Sequence, residues 1–401
     1  MTVAHFVEGA WPRQGGVGIA CVPKIAIGLA RRGIHAAVIY GGPPAPGSVP
    51  LAENGGSCRF ASQRSWGRYA FAPSLLWRAM GVAREADVIA LHSVYSFPVL
   101  AGYLHARWFS KPYVLWPHGV LGPFQRTIGR RKKWVYDRLV ARRMLRGASA
   151  IVFTAAQERD DVAALNLGAR SVVIPHGIDL AAYRSLPPRG AFRRRYLEGH
   201  PGPLILYLGR LAPVKNLELA IAAMPRVLQS VPGARLALAG PADPSAFAAT
   251  VAEWTRKYRV SEQVVLTGPI VDADAKLEAF ADADLFVMPS HNENFCHALF
   301  EAMAAGVPAV VSDSITYAAE IASRNAGIAS PRDPVPFAEG MLRLLQQPSL
   351  RAEMGRCAAQ LAACYSLDQS AERIARLLHA VAGRAPMPDD LQPALLSGSP
   401  A

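Results

Sequence analysis

The chain has 401 residues, more than one ordinary hydrophobic core accommodates, so its length predicts two domains. Hydrophobic residues make up 51% and charged residues 18%, which excludes general disorder. No apolar run is long enough to predict a membrane-spanning helix, and the first residues do not resemble a signal peptide. Residues 1–200 hold 27 Lys and Arg against 10 Asp and Glu, whereas residues 201–401 hold 16 against 20. We therefore expect only the first half to meet an anionic surface, either lipid or nucleic acid.

The cysteines indicate the redox environment. They stand at positions 21, 58, 296, 357 and 364, and no two form a C-x-x-C pair. An odd number without that spacing predicts neither a disulfide framework nor a zinc site. The sequence therefore favours a reducing cytoplasm.

Short apolar runs bounded by turn residues predict the strands of the first half. They lie at 3–8, 35–40, 87–91, 113–116, 150–154 and 171–174. Helical patterns separate several of them, as at 157–167. This alternation predicts an α/β fold with a mostly parallel sheet covered on both faces.

Two loops of the first half are candidate site segments, because each follows a predicted strand. The loop at 9–18 contains Gly15 and Gly16 and leads into a helical pattern at 19–31, so its backbone N–H groups can face a phosphate. A purely structural turn is the alternative for these glycines. His118 follows the strand at 113–116, at the sheet edge where ligands bind in such folds. A structural role is the alternative for a single loop histidine.

The segment 126–146 is strongly basic, with nine basic residues and one acidic residue. The residues that recur at helical spacing are Ile128, Val135, Leu139, Arg142 and Leu145, with Trp134 beside them. This pattern predicts a basic amphipathic helix. This helix either meets an anionic membrane surface or packs its apolar stripe on the sheet. The candidate membrane or acceptor residues are Arg130, Arg131, Lys132, Lys133, Trp134 and Arg138. A second basic and aromatic cluster comprises Arg64, Trp66, Arg68, Tyr69, Phe71, Trp77 and Arg78.

A second series of strands is predicted at 204–208, 236–239, 264–267, 285–288 and 309–311. We expect an N-terminal Rossmann-like domain at 1–183, a linker at 184–203 and a C-terminal Rossmann-like domain at 204–367. The helix at 368–383 is expected to pack back on the N-terminal domain. Residues 384–401 are rich in Pro, Ser and Gly and are expected to form a disordered tail.

The loop after the strand at 204–208 carries two cations, Arg210 and Lys215, just before a predicted helix. Both therefore lie at the carboxyl end of a strand and near the N–H groups of a helix start. This combination predicts a diphosphate site. Such a pair can stabilise negative charge on a departing diphosphate without a metal.

Two glutamates lie around the helix that follows the strand at 285–288. A buried carboxylate needs a partner, so Glu293 and Glu301 are candidates for holding sugar hydroxyls. The alternative is a capped helix with one solvated Glu. Two D-x-D triplets, at 272–274 and 282–284, are assigned to helix starts and turns rather than to a metal.

The segment 209–216 together with Glu293-x7-Glu301 resembles the signature of retaining glycosyltransferases of family 4 (glycosyl transferases group 1). The glycine loop, Pro117-His118-Gly119 and the segment 174–179 fall in the order typical of that family, so the resemblance extends over about residues 3–381. It implies the GT-B fold, in which two Rossmann-like domains face a cleft. It also implies transfer of a sugar from a nucleotide donor with retained anomeric configuration, without a required metal.

The resemblance assigns roles to individual residues. Gly15 and Gly16 would line the phosphate and sugar, and His118 would approach the transferred sugar. Arg210 and Lys215 would bind the diphosphate, Glu293 the sugar hydroxyls and Glu301 the ribose. The expected catalytic residues are His118, Arg210, Lys215 and Glu293. The expected donor-binding residues are Gly15, Gly16, Arg210, Lys215, Glu293, Asn294, Phe295, Cys296 and Glu301.

The chain also departs from the family pattern, because Asn294 and Cys296 replace small residues and His176 stands where Asn is common. These departures concern the identity of the donor sugar. The Pro-His-Gly segment and the basic helix resemble members that act on lipid carriers.

We expect a cytoplasmic enzyme, peripheral on the inner face of the cytoplasmic membrane, that adds a hexose to a lipid-linked saccharide in lipopolysaccharide or exopolysaccharide synthesis. Mannose from GDP-mannose is slightly favoured over a UDP-sugar. No cofactor, metal or nucleic-acid partner is expected. The alternatives are a sugar-nucleotide epimerase or hydrolase of similar fold, and a non-enzymatic binder of anionic lipid or nucleic acid.

Overall fold

A computed structural model describes residues 1–8, 21–41, 57–67, 69–127, 129–163, 165, 170–242, 246–270, 272–391 and 394–395. The chain divides into two units, the first made of Met1–Gly177 with Leu367–Ala401 and the second of Ile178–Ser366. The predicted phosphate loop, with Gly15 and Gly16, lies outside the described residues, as do Arg68 and Ile128.

The first unit is built on a sheet whose central strands are almost continuously apolar and buried. The strands are β1 (Thr2–Val7), β2 (His35–Gly41), β3 (Cys58–Gln63), β4 (Val88–His92), β5 (Tyr113–Trp116), β6 (Ala150–Phe153), β7 (Arg170–Val173) and, at the end of the chain, β14 (Ala394–Leu395). Their spatial order is β14-β7-β6-β5-β4-β1-β2-β3. Strands β1 to β7 pair in parallel, and β14 pairs antiparallel with β7.

Helices cover both faces of this sheet. They are Val22–Ala30, Leu75–Arg78, Met80–Glu85, Phe97–Trp108, Pro123–Thr127, Arg130–Tyr136, Arg142–Arg146, Ala156–Ala163 and Leu367–Val381. On one face Val22–Ala30 lies against Leu367–Val381, and a Cβ on Gly28 would come within 2.6 Å of the Ala371 Cβ. Glycine at this position therefore lets the first and last helices of the unit pack closely.

The prediction of a disordered tail at 384–401 is wrong for the part that the structure describes, residues 384–391 and 394–395. The Arg384 guanidinium pairs with Asp87 at 2.8 Å, and Leu391 is buried in the core of the first unit. Strand β14 then adds to the edge of the sheet beside β7. A few apolar and charged side chains therefore hold this Pro-rich segment, which composition alone assigns to disorder.

The second unit has a parallel sheet of its own. Its strands are β8 (Leu204–Leu208), β9 (Arg235–Ala239), β10 (Val264–Gly268), β11 (Leu285–Met288), β12 (Ala309–Ser312) and β13 (Gly327–Ser330), in the order β10-β9-β8-β11-β12-β13. Its helices are Ala191–Tyr196, Leu217–Ser230, Phe247–Lys257, Ala273–Asp282, His297–Ala304, Ala318–Ser323, Pro334–Gln346 and Pro348–Ala363.

The expected linker at 184–203 contains a helix, Ala191–Tyr196, that belongs to the second unit. The buried Asp282 carboxylate accepts hydrogen bonds from the backbone N–H groups of Gly190 and Arg193 at its start. Asp284 pairs with the Arg193 guanidinium at 3.0 Å. The second D-x-D triplet therefore anchors a helix, because its carboxylates satisfy backbone and guanidinium donors.

In the first D-x-D triplet, the Asp272 side chain accepts from the backbone N–H of Asp274 at the start of a helix. Across the described residues, no group of three or more His, Cys, Asp or Glu side chains could hold a metal ion.

In each sheet the order in which successive strands are added reverses at one place. This place lies between β1 and β4 in the first unit and between β8 and β11 in the second. In open α/β sheets, ligands bind beside the carboxyl ends of the strands at such a reversal. In the second unit this point lies between the loops that carry Lys215 and Glu293.

Candidate functional site

The loop after β8 begins with a close approach of two backbones. A Cβ on Gly240 would lie 1.9 Å from the Gly209 carbonyl oxygen, and Gly240 has a φ of +150°. The N–H of Leu211 donates to Pro241 O at 2.8 Å just beyond. The loops after β8 and β9 are thus held side by side, and glycine is required at 240 for their contact.

The next turn ties the loop after β8 to the loop after β11. Pro213–Lys215 forms a single 3₁₀ turn, after which Asn216 adopts a left-handed conformation with φ +48°. The Asn216 side chain donates to Pro289 O at 3.1 Å, and the backbone N–H of His291 donates to Val214 O at 2.9 Å. These bonds place Lys215 next to the loop that holds Glu293.

Lys215 and Glu293 form an ion pair with little solvent access, since their side chains are 17% and 13% exposed. Burial lowers the pKa of Lys215, but the Glu293 carboxylate outweighs that effect and the pKa lies above its ordinary value. Lys215 is therefore charged at neutral pH. Arg210, which is half-buried, is close enough for its charge to oppose protonation of Lys215. The Glu293 carboxylate also accepts a hydrogen bond from Ser290 Oγ at 3.0 Å.

The second predicted carboxylate, Glu301, is buried in the helix His297–Ala304. Its Oε1 accepts from Lys276 Nζ at 2.9 Å. The Tyr183 hydroxyl also bonds to Glu301, and burial together with that carboxylate raises the pKa of Tyr183. Lys276 and Tyr183 are missed by the sequence analysis because they come from distant parts of the chain.

Two residues expected to bind the donor have side chains that pack in the core. The Phe295 ring lies parallel to Phe300, with centroids 4.6 Å apart. The Cys296 thiol is buried against the Met288 sulfur at 3.7 Å. The two side chains thus face the core, and the donor-binding role expected for Phe295 and Cys296 stays a prediction. Asn294 is half-buried between Glu293 and this packed pair.

In the first unit, His118 lies in a turn that a buried carboxylate holds. His118 and Gly119 have φ values of +51° and +81°. Glu158 accepts from the Gly119 N–H at 2.7 Å and from both the N–H and the hydroxyl of Thr154. Burial raises the pKa of Glu158 although these donors oppose the shift. No local signal marked Glu158 in the sequence.

Both ring nitrogens of His118 face other histidines. Nε2 lies 3.1 Å from His92 Nδ1, and Nδ1 lies 3.3 Å from His176 Nε2. Burial and His176 hold the pKa of His118 well below its ordinary value, so the ring is neutral at pH 7. His92 and the role of His176 were not found from sequence.

The basic segment is helical from Arg130 to Arg146, with a π-turn at Asp137–Ala141. Its end packs inside, since Met144 and Leu145 are buried, but Trp134, Val135 and Leu139 are 63%, 48% and 60% exposed. The first part of the predicted apolar stripe therefore does not pack on the sheet. Lys133 is half-buried over the Tyr95 ring, whereas the other candidate residues are exposed: Arg130, Arg131, Lys132, Trp134 and Arg138.

The second basic and aromatic cluster lies next to this helix. The Tyr69 ring contacts the Tyr136 ring with centroids 6.1 Å apart. Tyr69 lies within a short hairpin closed by backbone bonds between Trp66 and Phe71, whose side chains are exposed.

Among the helices of the described residues, none has the length and apolar character that a membrane span requires.

Comparison with known proteins identifies the family. The family model described as "Glycosyltransferase Family 4" matches residues 18–182, and "Glycosyl transferases group 1" matches residues 189–361. The chain belongs to this family of GT-B glycosyltransferases. Its two doubly wound units agree with that fold.

The individual relatives share less than a third of their aligned residues with this chain. The chain is 27% identical to a D-inositol 3-phosphate glycosyltransferase of Kineococcus radiotolerans over 51% of this chain and 50% of that protein. It is 28% identical to a phosphatidyl-myo-inositol mannosyltransferase of Mycolicibacterium smegmatis over 54% of each. The chain thus spans about half the length of these curated relatives. The structure of Anabaena Alr3699/HepE in complex with UDP and glucose matches with a TM-score of 0.75 and 19% identity, over 95% of this chain and 100% of that one.

Proposed function

We propose that this protein is a retaining glycosyltransferase that takes a hexose from a nucleoside diphosphate sugar. The observation that carries the proposal is the Lys215–Glu293 pair beside Arg210 at the strand reversal of the second unit. A diphosphate supplies the anionic charge that two such cations can bind, and a carboxylate can accept sugar hydroxyls. Ligands of α/β sheets bind at this same place.

The pair also suggests how the site changes when the donor binds. Glu293 neutralises Lys215, so neither charge is buried alone. A diphosphate next to Lys215 would compete for its ammonium and release the carboxylate toward the sugar. Lys215 and Glu293 would then hold opposite ends of one donor.

We propose a mechanism in which the cations stabilise the leaving diphosphate. Arg210 and Lys215 neutralise charge as the bond from the sugar carbon to the phosphate oxygen breaks. The acceptor hydroxyl attacks on the same face, and the leaving phosphate oxygen takes its proton. Glu301, held by Lys276 and Tyr183, would receive the ribose hydroxyls. Amides of Gly15 and Gly16 would add to the phosphate contacts.

The donor sugar is the least constrained part of the proposal. The mannosyltransferase relative supports mannose, whereas the HepE complex contains UDP and glucose. We favour a hexose, with mannose slightly ahead. Thermal shift with GDP-mannose, UDP-glucose, GDP and UDP decides between the bases, because a ligand that binds only the folded state raises Tm.

We further propose that the acceptor is a lipid-linked saccharide in lipopolysaccharide or exopolysaccharide synthesis, and that the first unit docks on the cytoplasmic face of an anionic membrane. Exposed Trp134, Val135 and Leu139 stand among exposed cations on the helix at 130–146. Apolar and aromatic groups flanked by Lys and Arg suit the interface of an anionic bilayer.

Vesicle binding tests this docking. Each basic residue near an anionic surface contributes about 1 kcal/mol, so replacing Arg130, Arg131 and Lys132 by Gln should weaken binding to phosphatidylglycerol vesicles roughly 100-fold. Replacing the exposed Arg256, Lys257 and Arg259 of the second unit is the matched control and should have little effect. Equal binding to anionic and neutral vesicles would contradict the docking.

Activity is tested by measuring sugar transfer and free nucleotide together. A transferase releases nucleotide in proportion to the glycosylated lipid, and release slows when the acceptor is omitted. Rapid release without an acceptor would indicate a hydrolase. Conversion of the nucleotide sugar without release would indicate an epimerase.

A further inference from the structure

Four histidines of the first unit form one chain of hydrogen bonds; His5, His92 and His176 are buried and His118 is half-buried. His5 Nδ1 lies 3.0 Å from His92 Nε2, and His92 Nδ1 lies 3.1 Å from His118 Nε2. His118 Nδ1 then lies 3.3 Å from His176 Nε2. Neighbouring ring planes are within 15° to 19° of each other, with centroids 5.2 to 5.3 Å apart. The rings therefore meet edge to edge, nitrogen to nitrogen.

The chain of histidines runs from the interior of β1 to the carboxyl edge of the first sheet. His5 lies on β1 and His92 ends β4, which are the strands on either side of the reversal in strand order. His118 and His176 follow β5 and β7. The Trp116 ring covers His92 with centroids 4.9 Å apart. This edge is the place where an α/β sheet binds ligands.

The imidazoles are neutral at pH 7. Burial lowers the pKa of His5 to about 4, and burial together with the charge of Lys24 lowers that of His176 to about 4. Burial and the other three rings hold the pKa of His92 far below its ordinary value. Each neutral ring carries one N–H and one lone pair.

This count leaves only two arrangements of protons that satisfy all three links. Each link joins Nδ1 of one ring to Nε2 of the next and needs a single proton. If His92 donates from Nδ1, then His5 must donate to it from Nδ1, and His118 must in turn donate to His176 from Nδ1. If His92 donates from Nε2, every ring carries its proton on Nε2. Any mixture leaves one link with two protons or with none, which is costly in a buried site.

We propose that His5 and His92 are positioning residues that act through His118, because the linked rings share one tautomer and so decide whether His118 presents a donor or an acceptor. In this proposal a sugar hydroxyl replaces His176 at His118 Nδ1, where the link is the longest of the three. The hydrogen-bonding role of that nitrogen is then set by His92 and, behind it, by His5. The shared tautomer stands on geometry alone, whereas its effect on sugar transfer rests on the proposed function.

Nitrogen NMR of the full chain labelled with ¹⁵N-histidine tests the shared tautomer directly. At pH 7.5, long-range proton–nitrogen correlations assign the protonated nitrogen of each ring. The proposal predicts that His5, His92, His118 and His176 are neutral and all carry the proton on Nδ1, or all on Nε2. A charged ring, or two of the four rings with different tautomers, would overturn it, whatever the enzyme's activity.

Two matched variants test the effect on His118. His92→Phe cuts the chain, whereas His5→Phe removes only its end and leaves His92, His118 and His176 linked. Turnover of whichever of GDP-mannose and UDP-glucose the protein uses should fall about tenfold in His92→Phe, the worth of about one hydrogen bond. The loss should be smaller in His5→Phe and partly restored in His92→Gln, whose amide can both donate and accept. Equal losses in both Phe variants with no rescue by Gln would reject the positioning role while leaving the transferase assignment intact.

Discussion

Acidification should destabilise the first unit through its buried histidines. The pKa of His5 and of His176 is about 4 in the folded protein, against about 6.5 in an unfolded chain. Between these values the unfolded chain binds more protons, so the stability that is present above pH 6.5 is lost as the pH falls toward 4. At pH 5 each ring lowers the free energy of unfolding by about 2 kcal/mol relative to pH 7.5, which gives about 4 kcal/mol for the two rings.

Thermal unfolding measures this loss. A change of about 4 kcal/mol in a unit of this size lowers Tm by roughly 8–16 °C between pH 7.5 and pH 5. His5→Phe removes one titrating ring, so its Tm should fall less over the same interval even if it starts lower. Glu158, whose pKa burial raises, acts with the opposite sign, because it is protonated more readily in the folded state. The same pH dependence of Tm in the wild type and in His5→Phe would refute the account of the buried histidines.

Two further substitutions test the backbone contacts of the second unit. Gly240→Ala should lower the free energy of unfolding by more than about 2 kcal/mol, since its Cβ meets the Gly209 oxygen at 1.9 Å. A free energy of unfolding from denaturant melts that stays within about 0.5 kcal/mol of wild type, as for a neutral surface change, would contradict this. Asp282→Ala should cost about 3 kcal/mol because it leaves two helix-start N–H groups without their acceptor, and faster proteolysis near the helix Ala191–Tyr196 is the expected sign. Unchanged cleavage there would contradict the anchoring role of Asp282.

Strands were predicted well where burial on both faces makes the sequence continuously apolar. The ranges expected for β5, β8 and β11 match the structure. Strands β3 and β13 were missed because their sequences, CRFASQ and GIAS, mix polar and small residues. Tertiary pairing with a neighbouring strand overrides weak local propensity in these cases.

The candidate site was predictable only in part. Lys215 and Glu293 were expected from their positions after strands, and the structure pairs them. Lys276, which bonds Glu301, gives no local signal, because the two residues meet only in the folded unit. Phe295 was assigned to the donor from its place in a motif, and the stacking of its ring on Phe300 was not foreseen.

The chain of histidines likewise could not be predicted from the sequence. His118 was noticed because it follows a strand, and its alternative was a structural role for a single histidine. The structure shows that it is not single, because His92 and His176 bond to its two nitrogens. Neighbouring strands and loops bring these rings together from separate parts of the chain, so sequence spacing could not reveal them.

Binding of nucleotide by Lys215 tests the central claim most directly. The wild-type Tm should rise with GDP or UDP, and Lys257→Met, which changes an exposed lysine of the same unit, should keep the shift. Lys215→Met leaves Glu293 buried without its cation, so the double variant Lys215→Met/Glu293→Gln, which removes both charges, keeps the comparison valid if the single variant unfolds. The account predicts that the folded Lys215 variants lose the nucleotide-induced shift. A wild-type shift that survives in the double variant would contradict it.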